Sequence, residues 1–173
     1  MAGHNKWTQI KHGKGKVDAL RARTFSKLAN LISAAAKKEP NPDFNPTLRS
    51  QIERAKKESM PSDIIERAIS RAKEPGNLEE FVIEAYGTEG AGIIIDGVTD
   101  NKPRSLNEIK ITLREYETKL ATPGSLLWNF DKTDEGYAPK YKLEVSEDAR
   151  NQITALIEAL NEREDIKEIY SNI

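Results

Sequence analysis

The sequence contains no cysteine in its 173 residues. Disulfides, thiolate-bound metals and a cysteine nucleophile are therefore excluded, and a reducing compartment is compatible with the absence. Long apolar runs are also missing. The longest are as short as residues 93–95, far below the roughly 18 residues that span a membrane. The N-terminus is basic and has no apolar signal core, so no secretory leader is expected. No internal repeat or low-complexity tract is present. Acidic residues are scarce at the start: residues 1–38 hold nine Lys and Arg but a single acid, Asp18.

That scarcity reveals an asymmetry hidden by the overall charge of −1. Residues 1–76 carry 16 Lys+Arg against 8 Asp+Glu, a net +8, and residues 77–173 carry 11 against 20, a net −9. A basic half joined to an acidic one suits polyanion binding. The alternative is a solvated charged surface, which one acid among nine bases makes less comfortable. At 37% hydrophobic and 32% charged, the chain can still build one ordinary core or two small ones.

Residues 1–16 place Gly3, Gly13 and Gly15 among Lys6, Lys11, Lys14 and Lys16. The expectation is a flexible cationic arm, pinned by Trp7 and Ile10. From Asp18 a helical period begins. Phe25, Leu28, Ala29, Ile32 and Ala36 fall on one face, while Lys16, Arg23 and Lys27 fall roughly opposite. Arg21 lies nearer the apolar side, where its stem can snorkel. Pro40, Asn41, Pro42 and Asp43 break the helix. Asn45-Pro46 starts a second helix, an N-cap followed by proline at the first helical position, running to about Glu58. After Met60-Pro61-Ser62 a third helix turns Ile64, Ile65, Ala68, Ile69 and Ala72 inward and Arg67 and Arg71 outward. Three short helices sharing one core predict an antiparallel bundle.

Beyond Pro75-Gly76-Asn77, the expected hinge, the period changes. Residues 81–86 and 91–98 read as strands around a Gly87/Gly90 turn. Leu106, Ile109, Leu113 and Tyr116 mark a helix. Residues 125–130 read as a strand, 137–145 as extended and 166–170 as a last strand. Between the last two, Ser146 caps a helix carrying Ile153, Leu156, Ile157 and Leu160. The order β-β-α-β-β-α-β predicts an α+β fold: a three-helix bundle at residues 1–77 followed by a ferredoxin-like domain at 78–173.

Several motifs along this path resemble one family. Met1-Ala2-Gly3-His4-Asn5-Lys6-Trp7 and Ile10-Lys11-His12 resemble the opening of the YebC/PmpR family. Phe25-Ser26-Lys27-Leu28, Asn45-Pro46, Met60-Pro61, Ile65-Glu66-Arg67-Ala68-Ile69, Glu84-Ala85-Tyr86-Gly87, Thr99-Asp100-Asn101, Gly124-Ser125, Trp128-Asn129-Phe130 and Tyr170-Ser171-Asn172 resemble it in order over nearly the whole chain. The family includes bacterial proteins described as transcriptional regulators and the mitochondrial translational activator of cytochrome oxidase subunit I. Two departures stand out. The third domain, usually inserted into the second, is missing between Phe130 and residues 137–145. Lys102-Pro103-Arg104 follows Thr99-Asp100-Asn101 where the family usually has arginine and asparagine before the next arginine.

The resemblance implies a non-enzymatic nucleic-acid-binding protein. Some members are described as acting on promoter DNA and others on the ribosome, where they ease stalls at proline-rich stretches. Phosphate contacts are expected from Lys6, Lys11, Lys14, Lys16, Arg23 and Lys27, with Arg104 added through the resemblance. Neutralising about five phosphates gives a salt slope of about −4 to −5 on duplex DNA. Trp7 fits two roles: stacking on a base, or anchoring the arm, which is slightly favoured. His4 and His12 have no third ligand nearby and read as exposed histidines rather than metal ligands.

The carboxylates Asp96, Asp100 and Asp131, or Glu79, Glu80 and Glu84, come with no recognisable nucleophile or base. Gly87, Gly90 and Gly92 match no phosphate-loop spacing. The acidic half is either a solvated surface or a holder for the basic arm. The expectation is a cytoplasmic, cofactor-free and metal-free protein, a monomer, with no enzymatic activity, no membrane contact and no small-molecule substrate. Its expected partner is nucleic acid, ribosomal RNA before DNA, with the ribosome as the expected setting. The alternatives are a duplex-DNA-binding transcriptional regulator and a protein-interaction module that grips an acidic partner.

Overall fold

The computed structural model describes residues 4–73, 78–133 and 136–173, with side chains from residue 17 onward. The first helix, α1 (His4–Ala36), is 33 residues long. It therefore begins well before Asp18, and the stretch expected as an irregular arm has a helical backbone from His4. The stretch has no proline, and Gly13 and Gly15 cost only about 1 kcal/mol each against alanine. Extending an existing helix needs no new nucleus. The side chains of Lys6, Trp7, Lys11, Lys14 and Lys16 lie outside the described residues, as does the hinge at Pro75-Gly76-Asn77.

Two shorter helices follow, α2 (Pro46–Lys57) and α3 (Ser62–Arg71). Asn45 serves two of them at once. Its Oδ1 accepts the Leu48 N–H at 3.0 Å, capping α2, while its Nδ2 donates to the Ala35 and Glu39 carbonyls at 2.9 and 2.7 Å, closing the end of α1. Leu28, Ile32, Leu48, Ala55, Met60 and Ile65 form the shared core, and Ile32 and Leu48 are fully buried.

The rest is an α+β layer. Strands β1 (Glu79–Tyr86) and β2 (Gly92–Thr99) form a hairpin. Then come α4 (Lys102–Glu115), β3 (Lys119–Leu120), β4 (Phe130–Thr133), β5 (Gly136–Pro139), α5 (Glu147–Asn161) and β6 (Ile166–Ser171). One antiparallel sheet has the order β3-β1-β2-β6. The α4 connection carries the chain from β2 across β1 to β3, which runs parallel to β2 with β1 paired between them, a split β-α-β of ferredoxin-like kind. Phe81, Ile83, Ala85, Ile93 and Ile95 turn one face of the sheet toward Ile109 and Leu113 of α4 and Ile153, Leu156 and Leu160 of α5. Ile94 points the other way, into Ala121, Leu126 and Phe130. At Gly97 a bulge interrupts the β2–β6 ladder. A Cβ there would overlap the Phe81 ring and the Asp165 carbonyl, so only glycine fits.

Two expectations change. Residues 125–130 are not a strand of the sheet: Leu127–Asn129 forms a 3-10 turn, and Phe130 opens the separate β4–β5 hairpin. The sheet's extra strand is instead β3, whose two residues pair with Ala85 and Tyr86. The reason is tertiary: the buried carboxylate of Glu84 takes up the Gly124, Leu126 and Leu127 N–H groups that a strand would pair elsewhere. Of residues 137–145, the β4–β5 ladder takes only the part up to Pro139.

Candidate nucleic-acid interface

The helical core meets the α+β layer along α1. Leu31 and Ala34 pack on Leu78 and Val98, and Lys37 Nζ donates to the Leu78 carbonyl at 2.6 Å. This contact positions the cations of the C-terminal part of α1. The expected opposite faces, apolar and cationic, are both present, yet the described cationic face is not open water. It looks onto the end of α5.

Arg23 pairs with Glu162 at 3.5 Å, both side chains more than half exposed. Lys27 is half-buried in an adjoining groove of about 310 Å³ lined by Glu158, Asn161 and Glu162. Burial pushes its ammonium below the ordinary lysine value. Glu168 opposes that shift and Arg54 adds to it. Arg21 lies over the Phe25 ring at 5.3 Å, so its stem covers the apolar side as expected.

A larger cleft of about 980 Å³ opens between the helical bundle and the layer. It brings Arg23 together with Arg104, two residues far apart in sequence. Arg104 sits in the first turn of α4, where Asn101 Oδ1 caps its N–H at 3.1 Å, and its guanidinium pairs with Asp100 at 2.6 Å. Exposed pairs of this kind hold by about 1 kcal/mol or less. Neither carboxylate therefore holds its arginine tightly.

The same cleft contains Arg71 and Arg163. Arg163 is committed to the fold, held by Glu108 at 2.7 Å and by Asp165 at 2.8 Å. Burial disfavours the Asp165 charge, but hydrogen bonds from Arg163 and Ser105 outweigh it, and the carboxyl titrates below its ordinary value. Arg71 was expected to face outward. It donates instead to Asn30 Oδ1 at 2.7 Å, its Nε is buried without a partner, and it makes no ion pair among the described residues. The sequence carried a signal for this: Arg71 follows Ile64 by seven residues, two helical turns, which puts both on one face.

The three candidate aspartates each pair with a different cation: Asp96 with Lys167, Asp100 with Arg104 and Asp131 with Lys140. Glu84 is consumed by the backbone of residues 124–127. Among the described residues no group of three or more His, Cys, Asp or Glu is placed to hold a metal ion. No helix among them is long and apolar enough to cross a membrane.

Comparison with known proteins places this arrangement. Residues 5–75 match the model of the TACO1/YebC protein N-terminal domain, and residues 78–135 match that of the TACO1/YebC second and third domain. A protein of Desulfosudis oleivorans named "Probable transcriptional regulatory protein" is 38% identical over 100% of this chain and 72% of its own length. The chain belongs to the TACO1/YebC family. A Petrotoga mobilis member of the same printed name is 40% identical, over 99% of this chain and 70% of its own. The crystal structure of the conserved hypothetical protein Aq1575 from Aquifex aeolicus shares the fold. Its TM-score is 0.81 at 24% identity, covering 91% of this chain and 92% of that one. The bacterial relatives are longer than this family member, and its match to the second and third domain ends at residue 135, between β4 and β5.

Proposed function

We propose that this protein is a nucleic-acid-binding regulator of gene expression that catalyses no reaction. The observation that carries this is the concentration of nine bases against one acid over residues 1–38, on a backbone that is one helix from His4 to Ala36. A helix of this length extends about 50 Å and spaces cations regularly along a phosphate backbone. Arg23 and Arg104 at the cleft extend the same path into the layer. Membership of the TACO1/YebC family and the regulatory names of its bacterial relatives support this reading. Residues 1–77 act as the binding module and residues 78–173 as the α+β unit that carries it.

Within this class, we favour a cytoplasmic, monomeric translation factor that contacts ribosomal RNA. The outward side of α3 supports RNA over a helix reading a DNA groove. It presents Asp63, Glu66 and Arg67, with Arg67 already held by Asp63 at 2.6 Å, so these three leave a net negative charge and no basic face. Sedimentation of lysate at low salt, with ribosomes actively stalled, tests the reading. The protein co-sediments with ribosomal particles; recovery entirely in the ribosome-free fraction contradicts it.

The second reading is a duplex-DNA-binding transcriptional regulator, which the printed name of the relatives favours. It requires retention of particular promoter fragments over random DNA. Uniform, salt-sensitive binding to every fragment counts against it.

A further inference from the structure

Outside the cleft residues already described, three aromatic side chains on the α+β layer stay exposed and lie outside this reading of α1. Trp128, Tyr141 and Tyr86 are 63%, 68% and 38% exposed. Large aromatic rings are seldom left so open without a partner. Two of them are held in place by one atom: the Ser125 carbonyl accepts the Trp128 Nε1–H at 2.8 Å and the Tyr86 hydroxyl at 3.3 Å. The Glu84 carboxylate fixes the same turn through the N–H groups of Leu126 at 2.6 Å and Leu127 at 3.0 Å, and of Gly124. The Tyr141 backbone is tied to Asn129, the residue after Trp128. The buried Asn129 accepts the Tyr141 N–H at 3.0 Å and donates to its carbonyl at 3.2 Å.

The polar tips of Trp128 and Tyr86 are thus engaged while their rings stay exposed. Lysines accompany them although this half of the chain is net acidic. Lys119 stands opposite Tyr86 in the β1–β3 ladder, and Lys140 and Lys142 flank Tyr141. Lys119 and Lys142 make no ion pair among the described residues, and Lys140 meets Asp131 at 3.3 Å. Rings held rigid beside ammonium groups suit unpaired bases on a phosphate chain: the rings stack and the lysines meet phosphates. A double helix hides its base faces, and unstacked bases are what RNA loops and ends offer to aromatic side chains. Because the Trp128 and Tyr86 rings are held by their polar tips, less entropy is lost on binding.

We infer that Trp128, Tyr141 and Tyr86, with Lys119, Lys140 and Lys142, form a stacking platform for single-stranded RNA, separate from the basic helix. It adds a second contact to the nucleic-acid-binding reading and rests on that reading. The test uses full-length protein and a labelled oligouridylate about ten nucleotides long, matched to the usual site size of such platforms. A duplex RNA and an oligothymidylate of the same length run beside it. Replacing Trp128→Ala and Tyr141→Ala together weakens oligouridylate binding about ten-fold or more. Duplex binding changes less than about two-fold, and Trp128→Phe alone retains most single-strand affinity. Unchanged oligouridylate affinity in the double variant, with duplex binding intact, overturns the platform alone and leaves the face to a protein partner or second copy. Equal affinity and equal loss on oligothymidylate overturns the assignment to RNA. Wild-type protein that binds none of the three overturns both the platform and the nucleic-acid reading.

Discussion

Arg23 on the first helix faces Glu162, just past the end of the last helix, across 3.5 Å. This pair joins the basic half of the chain to the acidic half. Both side chains are more than half exposed, so the attraction is weak and screened by salt. A phosphate arriving at Arg23 competes with Glu162. Glu162→Gln should therefore strengthen binding of a short RNA or DNA duplex at low salt by about two- to five-fold. Fluorescence anisotropy measures it, and unchanged affinity would take the carboxylate out of the competition.

The N-terminal cations carry the larger share of the binding in this scheme. Replacing Lys11, Lys14 and Lys16 by alanine should weaken nucleic-acid binding and make the salt slope shallower by about two to three on duplex DNA. The thermal midpoint should stay where it is, since lysine side chains are seldom part of a core. An unchanged slope would remove this part of α1 from the interface.

Glu84 is buried, and its carboxylate gathers three N–H groups from one turn. A glutamine amide offers one acceptor oxygen and turns its NH2 toward donors. Glu84→Gln should cost roughly 1–3 kcal/mol of stability. Amide exchange at Gly124, Leu126 and Leu127 should quicken first. Protection of those amides at the wild-type level would show that the turn holds without the charge.

Asp165 sets an acid limit. Its carboxyl titrates below the ordinary 3.8 because Arg163 and Ser105 hold the ionised form. A depressed folded-state value stabilises the protein above the unfolded value and is lost as pH falls through the folded one. Asp165→Asn should therefore lower the urea midpoint at neutral pH, by roughly 1–3 kcal/mol in stability. The gap to wild type should close as pH drops below about 4. A gap that stays constant from neutral pH down to about pH 3 would contradict the linkage.

Much of this architecture was legible because local chemistry and tertiary structure agree. Asn45-Pro46 and Ser146 start helices where their side chains cap them, with Ser146 Oγ accepting the Ala149 N–H at 3.2 Å. The apolar stripes of α4 and α5 are those that face the sheet. Legibility failed where a distant residue decides. β3 has two residues, too few to show alternation. Leu126 and Phe130 look like strand residues because they are apolar, yet they are buried against Ile94 while Glu84 captures the neighbouring N–H groups. The charge asymmetry and the family motifs pointed to a cationic N-terminal module, though its first residues read as an arm and not as the start of α1. They could not show that Arg23 and Lys27 look onto α5, because that depends on how two cores meet. Arg71 was placed outward with Arg67, although it lies two turns from the inward Ile64 and in the fold bonds Asn30 of α1.

The most direct measurement is crosslinking of the tagged protein to RNA and DNA in cells, followed by sequencing of what it holds. A ribosome-associated regulator concentrates its reads in ribosomal RNA, and those reads locate the contact. Reads concentrated at promoter DNA, with ribosomal RNA at background, would contradict the translation reading and establish the DNA-binding one.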